Sequence, residues 1–146
     1  MKKLLVLFAV LAFAAPVFAA DKYASVDIDK VLKGYKKTAV INKSIQEKEA
    51  AIRVFIVDAQ KSVVGATTDA ERKKLEDKYA KELKTKMDAL QKEKVAALQG
   101  LEKDVKKAID TEGKKGVYAL ILTSNNTLYG AVDITNDIIK TLNAGQ

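Results

Sequence analysis

The sequence predicts an α+β fold, in which a small β-rich head carries a long, protruding antiparallel α-helical hairpin, a coiled-coil arm. Three observations predict it. Strand signals lie only near the two ends, at 23–28 and 117–131. Between them run two long apolar stripes of helical period, separated by Gly65-Ala66-Thr67. The one proline is Pro16, so the rest of the chain lacks the strongest helix breaker. On this reading 20–36 and 113–146 form the head, and 37–112 form the arm with its tip near 65–68.

Residues 1–19 read as a cleavable secretory signal. Lys2 and Lys3 give a positive start, Leu4 to Ala15 is an unbroken apolar run, and Val17-Phe18-Ala19 supplies small residues before a cut after Ala19. The run is too short for a stable membrane span. The mature protein is therefore expected to be exported, and the Lys-Lys start with an Ala-rich cleavage region suits the bacterial periplasm.

Tyr23–Ile28 alternates, with Ala24, Val26 and Ile28 on one face, so a half-buried strand is expected there. Asp29–Lys33 reads as a helical turn capped by Asp29 and broken by Gly34. From about Lys37 to Val64, Ile41, Ile45, Ile52, Phe55, Ala59 and Val63 form a helical stripe. Thr68-Asp69-Ala70-Glu71 is a capping box: the Thr68 hydroxyl accepts from the Glu71 N–H, and the Glu71 carboxylate returns to the Thr68 N–H.

A second helix is expected from about Asp69 to Glu112, closed by Gly113 as a left-handed cap. Its stripe is Leu75, Tyr79, Leu83, Met87, Leu90, Leu98, Leu101, Val105 and Ile109. Asp69–Lys73, Asp77–Lys81, Glu82–Lys86, Asp88–Lys92 and Glu102–Lys106 place acid before base at i,i+4, the favourable order. Such a helix, about 65 Å long, exceeds what a globular core needs. Gly100 within it costs about 1 kcal/mol against Ala, as a flex point or as a tolerated exposed glycine.

Val117–Thr123 reads as a strand covered on both faces, Ser124-Asn125-Asn126 as a turn, and Thr127–Ala131 as the second arm of a β-hairpin. Thr135 is expected to cap a last helix bearing Ile138, Ile139 and Leu142. A head this small cannot bury a self-sufficient core without disulfides or metal, and a three-stranded sheet leaves two open edges. An obligate oligomer follows, with contacts expected from the strand residues Val26, Ile28, Val117, Ala119, Ile121, Leu128 and Tyr129.

Composition excludes several classes. With no Cys and no His, the chain has no disulfide framework, thiolate nucleophile or imidazole base. No catalytic constellation or Gly-rich phosphate loop is visible, so an enzyme, a cofactor and a metal site are not expected. Asp27, Asp29, Asp133 and Asp137 read as caps and solvated head residues. The net charge is +7, and without Lys2 and Lys3 there remain 24 bases against 19 acids, an excess of +5 that favours acidic chains or anionic lipid. Nucleic acid is not expected for an exported protein.

Two surface features stand out. Val54, Phe55, Ile56 and Val57 point around more than half a helix, more than one hairpin partner covers, so part must meet a client or another subunit. Arg72–Lys94 holds nine bases and five acids: a solvated face with ion pairs or, with Lys78, Lys81 and Lys86, an electrostatic capture surface.

The order of elements and both ends resemble the Skp (OmpH) family of periplasmic chaperones. The resemblance rests on Ala24-Ser25-Val26-Asp27-Ile28-Asp29-Lys30-Val31-Leu32 after a signal segment, on Leu120-Ile121-Leu122 and Leu128-Tyr129, and on Val132-Asp133-Ile134-Thr135-Asn136-Asp137-Ile138-Ile139-Lys140-Thr141-Leu142-Asn143. It spans essentially the whole chain after the signal segment. Its middle is any Lys/Glu-rich coiled coil, and the Val54–Val57 run departs from the family's polar arm.

The resemblance implies a homotrimer with a β-barrel-like body formed by trimerisation heads, and arms around a cavity. It implies an ATP-independent holdase for unfolded outer-membrane β-barrel proteins. Val54, Phe55, Ile56, Val57, Lys78, Lys81 and Lys86 are the client-facing candidates. The alternative is a structural or membrane-surface coiled-coil envelope protein that binds anionic lipid or lipopolysaccharide.

Overall fold

The computed structural model describes residues 21–145, so the expected signal segment lies outside the described residues. The elements run β1 (Lys22–Val26), α1 (Ile28–Gly34), α2 (Lys36–Val64), α3 (Asp69–Gly116), β2 (Tyr118–Thr123), a 3-10 turn (Ser124–Asn126), β3 (Val132–Asp133) and α4 (Thr135–Ala144). The fold is α+β and mainly helical, with one three-stranded sheet of order β2-β1-β3.

All strand pairs are parallel. Ala24 faces Ile121 on one side and Val132 on the other, which makes β1 the central strand. The β2–β3 hairpin expected from the sequence does not form. β1 occupies the inner edge of β2, and the chain after the 3-10 turn crosses to the far edge of β1. Gly130, at φ +86°, supplies the left-handed bend just before β3.

Several boundaries also differ from expectation. β1 stops at Val26, and Asp27, not Asp29, caps α1: its carboxylate accepts the Lys30 N–H at 3.0 Å. Ile28 therefore opens a helix instead of ending a strand. α3 runs past Gly113 to Gly116, because that glycine serves close packing: a Cβ there would stand 3.0 Å from Ile121 Cδ1. The left-handed cap falls on Val117 (φ 52°, ψ 49°), a conformation that costs an L-residue roughly 1–2 kcal/mol.

The Thr68 cap forms, with the Glu71 N–H donating to its hydroxyl at 3.2 Å. The Glu71 carboxylate reaches one residue further back than expected, accepting from the N–H and hydroxyl of Thr67. Thr135 does not cap α4. Its hydroxyl donates to Asp133 and accepts the Asp27 N–H at 2.9 Å, tying the ends of β1 and β3 together.

α2 and α3 lie antiparallel. Lys37 pairs with Asp104, Lys48 with Glu93, Glu49 with Lys94, and Phe55 meets Tyr79. At 48 residues α3 spans about 72 Å, while the 29 residues of α2 span about 44 Å. The surplus, from about Val105 on, passes the start of α2 and joins the core.

That core holds Ala24 and Val26 of β1, Val31 of α1, Tyr35, Leu101, Val105 and Ala108 of α3, Ile134, and Ile138 and Leu142 of α4. Polar ties close it. Glu112, nearly buried, accepts the Thr141 hydroxyl at 2.6 Å, and Lys115 stands 3.2 Å from it. Asn143 donates to the Gly34 carbonyl and accepts the Lys36 N–H, linking α4 to the α1–α2 junction.

Met87 and Leu98, expected on the inner stripe, are exposed, because between the half-buried Leu90 and the buried Leu101 the covered line runs through Glu93, Lys94 and Ala97. Of the five expected i,i+4 pairs only Glu102–Lys106 forms, at 2.6 Å. Glu82 and Asp88 instead take Lys78 and Lys84 on their N-terminal sides. Gly100 has nothing within 4 Å of where a Cβ would lie. Gly100→Ala should therefore raise stability by about 1 kcal/mol in denaturant titrations, while Gly113→Ala, against Ile121, should lower it.

Candidate functional site

The apolar run on α2 divides into one seam residue and three exposed ones. Phe55 turns into the seam, its ring edge-on to Tyr79 at 5.8 Å, with Lys86 Nζ 5.0 Å from its centroid. Lys78 Nζ sits 5.5 Å from the Tyr79 ring. Both lysines thus flank an aromatic pair, an arrangement that stabilises the seam. Val54, Ile56 and Val57 remain 60%, 42% and 49% exposed, since α3 covers only one side of α2. Val54 and Val57 are separated by about 60° around the helix axis, facing away from the seam.

Sequence reasoning missed Val64, which is exposed at the end of α2 and continues the Val54–Val57 side at a spacing of seven. That spacing was the available signal, hidden behind the stronger stripe through Ile52, Phe55 and Ala59.

The basic stretch of α3 lies alongside. Ala70, Lys73, Lys74, Asp77, Lys78 and Lys81 border a shallow open depression. Among the described residues Lys73, Lys74 and Lys81 form no ion pair. Lys86 is committed to Phe55, so of the three basic candidates Lys81 is the one left to meet a ligand. The missed Lys73 and Lys74 share its depression.

The oligomerisation candidates divide as sharply. Val26 is buried in this chain's own core, and Ile28 and Ile121 pack against it. Val117, Ala119, Leu128 and Tyr129 are exposed. Leu120 and Val132 join them as exposed apolar residues of the sheet edges that the sequence did not single out. β2 was expected to be covered on both faces, but half of it is open. Beside it runs a groove of about 940 Å³, lined by Ile109, Gly113, Val117, Tyr118, Leu120 and Ile121 among others.

Among the described residues no group of three or more His, Cys, Asp or Glu is placed to hold a metal ion. No helix among them is long and apolar enough to cross a membrane. Neither a protein-family model nor a curated protein matches the chain.

Ion pairs pin the helices at intervals. The Asp104 carboxylate is held below its ordinary value of 3.8 by the hydrogen bond from Lys37 Nζ at 2.7 Å and by the Tyr35 hydroxyl at 3.0 Å. Lys37 is raised in turn by Asp104. The Lys94 hydrogen bond lowers Glu49, and the Thr135 hydrogen bonds lower Asp133. A depressed carboxylate contributes stability above its unfolded value and loses it as pH falls through its folded one. Thermal midpoints should therefore fall as pH drops below about 4, with Asp104→Asn lowering the neutral midpoint and flattening this fall.

Proposed function

We propose that the chain is an ATP-independent periplasmic holdase that keeps unfolded outer-membrane β-barrel proteins soluble, and that it works as a homotrimer with the α2–α3 pairs as protruding arms. The trimer number, the compartment and the client class rest on the resemblance of the chain ends. The observation that carries the reading is the row Val54, Ile56 and Val57, left uncovered by α3 along a paired helix that buries its other apolar side. Modest apolar surface repeated on several arms holds an unfolded chain through many weak, exchangeable contacts. Unfolded barrel strands alternate apolar residues and aggregate readily, so shielding them matters more than binding them tightly. The unpaired Lys73, Lys74 and Lys81 add long-range attraction for acidic clients.

The same basic depression also favours a second reading, a coiled-coil envelope protein that meets anionic head groups. Pelleting with anionic liposomes, run beside an aggregation assay on an unfolded barrel protein, separates the two. Val54→Ser combined with Val57→Ser should weaken suppression of client aggregation while helix content and native mass persist. Each valine is about half exposed, so the loss of stability should stay within about 1 kcal/mol per site. Lost helix with undiminished protection would place these valines in packing, not client contact. Phe55→Ala, by removing the ring that Tyr79 and Lys86 enclose, should destabilise the seam more, by about 1–3 kcal/mol.

A further inference from the structure

Sulfur occurs at one place among the described residues. The sequence has no cysteine, and its methionines are Met1 and Met87. Met87 belongs by spacing to the stripe of Leu75, Tyr79, Leu83 and Leu90, all half-buried, yet it is 56% exposed. It lines a recess of about 320 Å³ between α2 and α3, together with Ile52, Arg53, Leu90, Gln91 and Lys94. Ile52 and Leu90 are the apolar members, while Arg53, Gln91 and Lys94 carry N–H donors. Lys94 is already bound to Glu49 at 2.7 Å. Arg53 helps to hold the Glu49 carboxylate below its ordinary value, but among the described residues it forms no ion pair. Its guanidinium therefore has donors to spare beside an accessible thioether. Ile56 and Val57 follow Arg53 at i+3 and i+4, so the exposed apolar row of α2 continues from this recess.

We propose that Met87 is a reversible oxidation site whose sulfoxide oxygen is received by Arg53, so that one side of the α2–α3 pair changes from apolar to polar without unfolding. The oxidant is a peroxide. The thioether sulfur gives an electron pair to one peroxide oxygen, the S–O bond forms as the O–O bond breaks, and water leaves. Sulfur loses two electrons and the peroxide gains them. On the export reading the chain works outside the reducing cytoplasm, where such oxidants persist. A methionine sulfoxide reductase reverses the step with electrons from a dithiol. A thioether is a weak acceptor, and its sulfoxide is polar and disrupts a packed apolar contact that offers no donor. Here the guanidinium of Arg53 lines the same recess and satisfies the new oxygen. The helix pair keeps its seam, while the apolar surface running from Met87 to Ile56 and Val57 is interrupted. The site stands apart from the holdase reading; only its consequence for clients, weaker holding, rests on that reading.

Dilute hydrogen peroxide is the probe, and the absence of cysteine leaves no competing thiol. Peptide mapping of the treated protein should place one added oxygen on Met87, at a rate within about tenfold of free methionine. A slower rate would mean that the thioether is covered and would overturn the site. The oxidised protein should keep its helix content and nearly its thermal midpoint. In Arg53→Ala the same oxidation should lower the midpoint clearly further, and Arg53→Lys, which keeps a charged donor, should restore the wild-type response. Equal shifts in wild type and Arg53→Ala would overturn the role of Arg53, and melted helix in the oxidised wild type would overturn the switch. Met87→Leu should be blind to peroxide; a wild-type response there would overturn the assignment. The oxidised form should protect an unfolded barrel protein less, and treatment with a methionine sulfoxide reductase and dithiol should restore protection. Undiminished protection by the oxidised form would overturn the effect on clients. Oxidation and coupling as stated, with no protection by either form, support the site and remove only the holdase reading.

Discussion

The parallel pairing of β1 with β2 is the constraint on which the rest of the structure depends. These strands come from opposite ends of the described chain, and Lys22 stands beside Tyr118 in the same direction. A parallel partner cannot be reached by a tight turn, so the chain between must leave the sheet and return. It leaves along α2 and returns along α3, turning at Gly65–Thr68. The greater length of α3 then follows, because its last turns must pass the start of α2 to deliver β2 beside β1. Those turns supply Leu101, Val105 and Ala108 to the core, so one helix both pairs with α2 and packs against the sheet.

A core built this way is thin. Its buried apolar side chains are largely small or medium-sized, and the fully buried larger ones are Ile138 and Val31. Meanwhile Val117, Leu120, Leu128, Tyr129 and Val132 stand exposed around the sheet. Small domains without disulfides or metal stabilise themselves chiefly through the apolar area they remove from water. Here a substantial part of that area is still in water in the isolated chain. The α2–α3 pair has the complementary character: joined by Lys37–Asp104, Lys48–Glu93 and Glu49–Lys94 and by the Phe55–Tyr79 contact, it keeps its outer valines wet.

Local signals in the sequence located the elements well where one chemical group decided the outcome. The Thr68 cap, the break at Gly65 and the length of α2 follow from side-chain chemistry within a turn or two. Features that depend on distant residues were not legible. Asp27 and Asp29 are both plausible caps, and the end of β1 against β2 and β3 decides for Asp27. Gly113 has the form of a helix terminator, but the approach of Ile121 explains it better. Thr127–Ala131 has strand character, but pairing with β2 would require it to turn back where the chain crosses to β1. At the candidate site, the split of Val54–Val57 into a seam residue and exposed flanks was legible from helical angles. Which lysines remain free was not, since Lys86 is engaged by an aromatic ring on the opposite helix.

The central claim is that the head is completed only by other copies of the chain. Thermal unfolding followed by circular dichroism over a roughly hundredfold range of protein concentration tests it most directly. Association-coupled folding predicts a midpoint that climbs steadily with concentration. Superimposable curves, with a folded monomer at the lowest concentration, would contradict it.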